Sequence, residues 1–425
     1  MDRGDIIYWW NERFNQNIVT DKTIDKRPPA FVYGMSINGL SILRSLGRKG
    51  ILTYGVDSKP YMIAFSSRYC HNKIIISDID SQPEKALNEL KNIGKNLGVR
   101  PVLFFTRDCF LVFLSKFRNE LEKYFIFSLP DPEIVDCIID KRKLAGFAAS
   151  HNIPHPNSFV VDSQEQLKNI NQKLHFPVII KPPKTYKARG QIWKGQKLLT
   201  VANLELLQKQ LLEFKNIKED MMIQEQVPGP DSDIFLFYTY YSQQSEPLAV
   251  FTKRKLRQYP IHYGYGCANQ SIKQKDVADL GKTLFDAMKY RGIGGVEFKR
   301  NSLDGLFQLI EIHGRTPMTG EIAIASGVDI PWIAYKDLIG EKVEKVMEFK
   351  EGVKWFHFKH DFWAYRMYKA EGNLTFFKWI KSYRGKKVFG AFSFTDWNPI
   401  INSIKSYIPN KIKRLFKRSN RLSDS

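Results

Sequence analysis

The chain predicts a mixed α/β and α+β protein. A parallel α/β region stands at the front, a two-part region built on antiparallel sheets follows, and a basic extension closes the C-terminal side. Three observations carry that prediction. Strand and helix patterns alternate strictly over residues 30–129, as a parallel sheet covered on both faces requires. From residue 219 to 258 strand patterns follow one another with only turns between them, which suits an antiparallel sheet. At 425 residues the chain exceeds what one ordinary core accommodates, so two to three domains are expected.

The elements follow in order. A polar leader, residues 1–29, ends at "RPP". "AFVYG" reads as a buried strand, "INGLSILRSLGRKG" as a helix stopped by Gly50, and "ILTYGVD" as the next strand. "NKIIIS", a helix over "QPEKALNELKNIGKNLG", "PVLFFT", a helix over "CFLVFLSKFRNELEKY" and "FIFSLP" complete this front domain, 30–129. Its first turn does not have dinucleotide-binding spacing, because Gly34 and Gly39 stand alone. A second domain is expected over 130–340, with a small subdomain at about 150–220 and the rest over 221–340. "DKRKLAGFAASHN" and "SQEQLKNINQKL" read as helices and "FPVIIKPP" as a strand. "MMIQEQV", "DIFLFYTYYS" and "PLAVFTKRKLRQ" read as successive strands, and "KDVADLGKTLFDAMKYRG" as a helix leading into a hairpin. Residues 341–425 mix aromatics with bases.

Charge is unevenly placed. The net charge is +21, and from Arg366 to Arg421 there are 14 Lys and Arg against Glu371 and Asp396, a net +12. Such a field attracts polyanions, anionic lipid, or acidic and phosphorylated small molecules. The richest apolar run, "PVLFFTRDCFLVFLSKF", is cut by Arg107, Asp108 and Lys116, so no membrane span is expected. The opening "MDRGDIIYWWNERFNQ" does not read as a secretory signal, and the four scattered cysteines read as reduced thiols in a cytoplasm. In the tail, Ile401, Ile404, Ile408, Ile412, Leu415 and Phe416 recur at helical spacing among bases, with Pro409 interrupting. Two outcomes stand open there: peripheral attachment to anionic membrane, or a basic helix packed on its own domain. The pairs His151 with His155 and His357 with His360 are not expected to bind metal, since Pro154 interrupts one and no acids accompany the other.

The hairpin "GGVEFKRNSLDGLFQLIEIHGRTPM" holds Glu297 and Glu311 on its two strands. A two-residue turn at Asp304–Gly305 gives residue numbers that sum to 609 across the ladder, and the two acids then face opposite ways. A three-residue loop, Leu303 to Gly305 with Gly305 left-handed, gives 608 and sets Glu297 directly across from Glu311. His313 then lies one step along the same face, with Arg315 beyond it. The second register is the expectation. Facing carboxylates repel by about 4 kcal/mol at roughly 4 Å for an effective dielectric near 20. A divalent cation turns that cost into a ligand set, and sparse oxygen donors suit Mg²⁺, with Mn²⁺ as the alternative ion. Glu297, Glu311 and His313 are the expected metal ligands.

At this point the chain resembles the ATP-grasp enzymes, over roughly residues 30–340. The branch it resembles within them is that of the D-aspartate ligases and carbamoyl-phosphate synthase large chains. The family's metal-binding strand pair ends in Glu-x-Asn-x-Arg, and residues 311–315 read Glu-Ile-His-Gly-Arg. "IDKRKLAGFAASHNIPHPNSFVV" is similar to the stretch that opens the family's nucleotide-binding domain and places Lys141 at its first lysine. "FPVIIKPP" places Lys181 at the second, in reach of the α- and β-phosphates. "MMIQEQVPGPDSDIFLF" resembles the hinge strand, where backbone groups of Gln224, Glu225, Gln226 and Val227 hold adenine. Asp233 matches the ribose-binding acid, with Asp231 competing for the role. In "VFTKRKLRQYP", Arg254, Lys255 and Arg257 face phosphates or an acid substrate; Arg254 is taken as catalytic, together with Arg315. Arg254 and Lys255 point to opposite faces, so one of them meets the ligand. Two departures stand out: His313 replaces the usual asparagine, and the phosphate-covering loop "KPPKTYKARGQIWKGQK" has only Gly190 and Gly195, with Lys184, Lys187, Arg189 and Lys194 supplying charge.

The resemblance implies ATP and Mg²⁺ as cofactors and ATP-dependent ligation of a carboxylate to an amine through an acyl phosphate. It implies small-molecule partners, acidic or phosphorylated, such as cell-wall or surface-polysaccharide precursors, and gives no reason to expect nucleic acid. The rival expectation is a non-catalytic nucleotide fold that binds polyanions or anionic membrane through its basic C-terminal region.

Overall fold

The computed structural model describes residues 27–161, 174–184, 198–213 and 221–404. The predicted helix "SQEQLKNINQKL", most of the phosphate-covering loop and the tail beyond 404 lie outside the described residues. The front sheet has four strands, β1 (Ala30–Tyr33), β2 (Thr53–Asp57), β3 (Asn72–Ile75) and β4 (Val102–Phe105), all parallel in the order β3-β2-β1-β4. Every residue of β1 and β2 is buried, which is why β1 reads as an unbroken apolar run. The helix Ile37–Gly47 buries Leu40, Leu43 and Leu46 against the sheet. The predicted fifth strand, "FIFSLP", contracts to one parallel bridge between Val102 and Ile126.

A second, antiparallel sheet of four short strands follows: β5 (Ser158–Val161), β6 (Val178–Lys181), β7 (Leu199–Val201) and β8 (Met221–Glu225), in the order β5-β8-β6-β7. Its small core joins Val178, Ile180, Val201, Met221 and Ile223 to Leu207 of the helix Leu204–Glu213.

The largest sheet has seven strands: β9 (Ile234–Tyr241), β10 (Pro247–Tyr259), β11 (Tyr265–Ser271), β12 (Gly292–Arg300), β13 (Phe307–His313), β14 (Lys354–Phe356) and β15 (Lys387–Phe389). Their order is β13-β12-β9-β10-β11-β14-β15, antiparallel except for β14 against β15. One face packs Phe235 and Phe237 in the same core as Val277, Leu284 and Phe285 of the helix Lys275–Ala287. The other carries Leu236, Tyr238 and Tyr240 into a core that also holds Ala30, Val32 and Leu40 of the front region. The C-terminal region is stitched to the rest by two buried ion pairs. Asp396 accepts from Arg44 Nε at 3.0 Å and Ser67 Oγ at 2.8 Å. Asp361, on the helix Phe358–Ala370, accepts from Arg257 Nε at 2.6 Å.

The hairpin register is the expected one at its functional end and different at its tip. Glu297 lies directly opposite Glu311, and Gly295 opposite His313. Beyond them the ladder shifts, pairing Phe298 with Leu309 and Arg300 with Phe307, so that Ile310 is an extra residue on β13. The predicted three-residue loop is therefore corrected. Asn301 N–H bonds Leu306 C=O at 2.8 Å, leaving a four-residue loop with Gly305 at φ +78°. The Asn301 side chain accepts from Leu303 N–H and donates to Asp304, closing the longer turn locally.

Candidate active site

The bulge at Ile310 sets the site's shape. A small cleft lies between the small sheet and the hairpin, lined by Lys141, Lys181, Gln224, His155, Leu309 and Ile310 among others. Leu309 N–H bonds Pro154 C=O at 2.8 Å, tying the hairpin to the segment that enters β5. Lys141 opens the helix Lys141–Ser150 behind its cap Asp140, and its N–H bonds Pro183 C=O at 3.1 Å just past the end of β6. Lys141 and Lys181 are thereby brought together on one wall.

Lys181 is buried, and its ammonium donates to Gln224 Oε1 at 2.6 Å. Burial, with Lys141 nearby, pulls its pKa down to about 7, and Glu311 opposes only in part. Gln224 in turn donates to Ser158 Oγ at 2.8 Å, which fixes its amide orientation toward the lysine. A cationic side chain so poorly neutralised, facing a cleft, is a place for an anion.

Glu297 is enclosed by cations on its own face of the large sheet. It accepts from Lys255 Nζ at 2.8 Å and lies 3.9 Å from His313 Nε2. Burial pushes its carboxyl up, but Lys255, His313 and Lys253 outweigh burial and hold it well below the usual carboxylate range. Lys253 lies beyond Leu236 in the row that contains Glu297, donates to Asn269 Oδ1 at 2.7 Å, and is pulled down to about 7 by burial.

The face expected of Arg254 needs correction, and the metal set and Arg315 are found among partners the sequence did not indicate. Arg254 alternates with Lys253 and Lys255 along β10 and pairs with Phe235 and Gln270, so it sits on the opposite face from Glu297. Lys253 and Lys255 take the position assigned to it. Glu297 and Glu311 stand directly opposite one another with His313 beside Glu297, and among the described residues no group of three or more His, Cys, Asp or Glu side chains is drawn together as a cation site. Lys255 Nζ, donating to Glu297 Oε2 at 2.8 Å, takes up one side of that carboxylate, and His313 Nε2 lies 3.9 Å from the other oxygen. Arg315 does not project freely into the cleft. It forms a two-pronged pair with Asp108, Nε to Oδ1 at 2.9 Å and Nη2 to Oδ2 at 3.3 Å. Burial opposes the Arg315 charge, and Asp108 more than restores it. Asp108 opens the helix Asp108–Lys116 of the front region, and its carboxyl is lowered by Arg315, His313 and Lys141 against burial.

The hinge residues fall on β8 and its exit. The N–H groups of Glu225 and Gln226 bond Asn157 C=O and Pro177 C=O at 2.9 and 3.0 Å, so neither is available to a base edge. The Glu225 carboxylate accepts from Asn157 Nδ2 and His175 N–H. Val227, buried, follows. Asp233 accepts from Arg300 Nη2 at 3.0 Å, whereas Asp231 is held by His262 N–H and Tyr368 Oη, which removes it from contention. Asp108, Lys253, Asn269 and Ser158 were missed from sequence. Only Lys253 carried a signal, its two-residue spacing from Lys255.

No family model matches the chain. Residues of this chain are 22% identical over 286 positions to the D-aspartate ligase of Enterococcus faecium, covering 64% of the chain and 67% of that protein. The D-alanine–D-alanine ligase B of Pseudomonas putida is 20% identical over 208 residues, covering 47% of the chain and 62% of that protein. Among solved structures, the N5-carboxyaminoimidazole synthetase of Staphylococcus aureus complexed with ADP superposes with a TM-score of 0.59 at 12% identity, covering 77% of this chain and 81% of that one.

Proposed function

We propose that the chain, whose fold is that of the ATP-grasp enzymes, is an ATP-dependent, ADP-forming carboxylate–amine ligase. The observation that carries the reading is the cleft between the small sheet and the hairpin, walled by Lys141, Lys181 and Gln224. In this reading Lys141 and Lys181 bind nucleotide phosphates, which supply the negative charge that Lys181 lacks. The carbonyl of Glu225, with the backbone of Gln226 and Val227, meets the adenine edge, the Gln224 backbone being held in the ladder opposite Ile179. Asp233 takes the ribose hydroxyls, exchanging its Arg300 partner for them.

Glu297 and Glu311, opposed on neighbouring strands, fit a Mg²⁺ or Mn²⁺ that keeps waters and takes its other oxygens from phosphate. When bound, such an ion neutralises charge on the phosphoryl group in transfer. The substrate carboxylate attacks the γ-phosphorus and ADP leaves; the amine then attacks the acyl phosphate and inorganic phosphate departs. Lys253 and Lys255 share the sheet face of Glu297 and stabilise anionic charge at the reacting carboxylate. Arg315 acts through Asp108, bracing the end of the hairpin against the front domain, 30–129.

The likeness to ligases of D-aspartate and D-alanine supports an amino acid as one substrate. The buried lysines on this face favour an acidic acceptor, such as a cell-wall or surface-polysaccharide precursor. The test is ADP release with MgATP across pools of acids and amines, with Glu297→Gln as the inactive control. If millimolar MgATP leaves the melting temperature unchanged, the non-catalytic polyanion-binding reading replaces this one. A ligand at a hundred times its Kd stabilises by about 2.7 kcal/mol, which a melting curve resolves.

A further inference from the structure

The C-terminal region turns an aromatic and basic face to solvent. Two helices, Phe358–Ala370 and Phe376–Ser382, are fixed from beneath. Asp361 accepts from Arg257, from the Trp379 indole N–H at 2.8 Å and from Tyr383 Oη at 2.6 Å, and Trp379 stacks on Tyr365 with ring centroids 4.6 Å apart. Their outer faces ought to be polar. Instead Phe362, Trp363, Met367, Phe376, Phe377 and Ile380 are all exposed, Phe377 by 83%. The rings adjoin: Phe362 lies 5.7 Å from Trp363, Phe362 and Phe376 lie 6.1 and 6.0 Å from Trp379, and Phe376 lies 5.9 Å from Phe377, while Met367 and Ile380 are exposed on the same two helices. Contiguous apolar surface of this kind marks an interaction site.

The charge around the patch selects the partner. Residues 358–387 carry eight Lys and Arg against Asp361 and Glu371. Asp361 is wholly buried, and Glu371 pairs with His262 Nε2 at 3.0 Å. Lys378 and Lys381 alternate with Phe377 and Ile380 on one short helix, and Arg366 lies over the Trp363 ring at 5.3 Å. A purely apolar protein partner leaves the basic residues unexplained. Nucleic acid accounts for the bases and aromatics but not for aliphatic Met367 and Ile380, which give no stacking platform. Among the described residues no helix is long and apolar enough to cross a bilayer.

We propose that this face docks on an anionic membrane surface, with the aromatic and aliphatic side chains entering the headgroup boundary and the lysines and arginines lying against lipid phosphates. The contact is made by the outer faces of two helices anchored to the large sheet. It is independent of the ligase reading, since none of these residues lines the cleft.

Full-length protein is sedimented with vesicles of phosphatidylglycerol and phosphatidylcholine in equal parts, and with phosphatidylcholine alone. Binding is expected to the first only, and to fall as salt is raised. Lys378→Gln with Lys381→Gln lowers partitioning about thirtyfold, at about fivefold for each basic residue near the surface. Phe377→Ser with Ile380→Ser lowers it at least about tenfold. All four side chains are exposed, so both double variants keep the parent melting temperature. The proposal is overturned if the parent does not bind anionic vesicles, or if neither double variant weakens binding, which would move the contact to the tail beyond residue 404. It is equally overturned if the variants lose oligonucleotide binding while vesicle binding persists.

Discussion

MgATP binding should take up a proton, and Lys181 should be its acceptor. In the free protein its pKa is pulled to about 7 by burial and Lys141. At pH 8 the ammonium is then only about one-tenth protonated, by the ordinary titration relation. Phosphate oxygens beside it favour the charged form and raise the pKa toward or beyond the ordinary lysine value of about 10.4. Binding at pH 8 should therefore draw in about 0.9 proton through this residue, falling to about 0.5 at pH 7 and about 0.1 at pH 6. Above pH 7 the same linkage weakens MgATP about tenfold per pH unit. Calorimetric titration in two buffers of different ionisation enthalpy measures the uptake directly. Lys181→Met should remove that share, leaving only what Lys253 contributes. The sign for folding follows from the same shift. Between pH 7 and about 10.4 the unfolded lysine holds more protons than the folded one, so stability rises with pH across that window, and Lys181→Met flattens the rise. Equal proton uptake at pH 8 by parent and Lys181→Met protein would refute the placement of phosphate at this lysine.

The face assignment along β10 separates two neighbours: Lys255→Met should weaken MgATP-dependent ADP release at least about tenfold, while Arg254→Ala leaves it within about twofold. Steady-state ADP release, read with melting curves to confirm folding, decides between them. The C-terminal latch gives a stability prediction. Asp361→Asn leaves the Arg257 guanidinium, 6% exposed, without its charge partner and should destabilise the protein by about 3–5 kcal/mol in urea unfolding.

Local pattern made much of this protein legible. The front sheet followed from buried runs such as "AFVYG" and "PVLFFT", since a parallel strand covered on both faces has no polar side to show. The facing of Glu297 and Glu311 followed from register, yet by a route different from the one inferred. Near the turn the ladder runs one residue out of the expected register, and the extra residue, Ile310, restores it before the acids are reached. A bulge is compatible with any side chain in "LFQLIEIHG", so the pattern of apolar and polar residues could not announce it. The expected answer survived because the loop had one residue more than expected and β13 carried the compensating one.

The partners of the charged groups were not legible, for a physical reason. Arg315 meets Asp108 across 207 positions of chain, and Arg257 meets Asp361 across 104. Both acids lie in helices of other layers, where spacing along the sequence carries no information about which sheet residue they face. Alternation could still exclude. Arg254 stands between Lys253 and Lys255, so a strand that turns two ammonium groups toward Glu297 must turn its guanidinium away. Choosing between them required knowing which face held the acid, and only the pairing in the folded sheet shows that, in the row that runs from Glu311 through Glu297 and Leu236 to Lys253. The same row shows why the site is electrostatically poised before any nucleotide arrives. On this sheet face burial pulls Lys253 down, while Lys255, His313 and Lys253 hold Glu297 well below the usual carboxylate range against burial. An incoming anion or cation therefore changes protonation as well as occupancy, and the proton count at Lys181 becomes a direct measure of whether phosphate sits there.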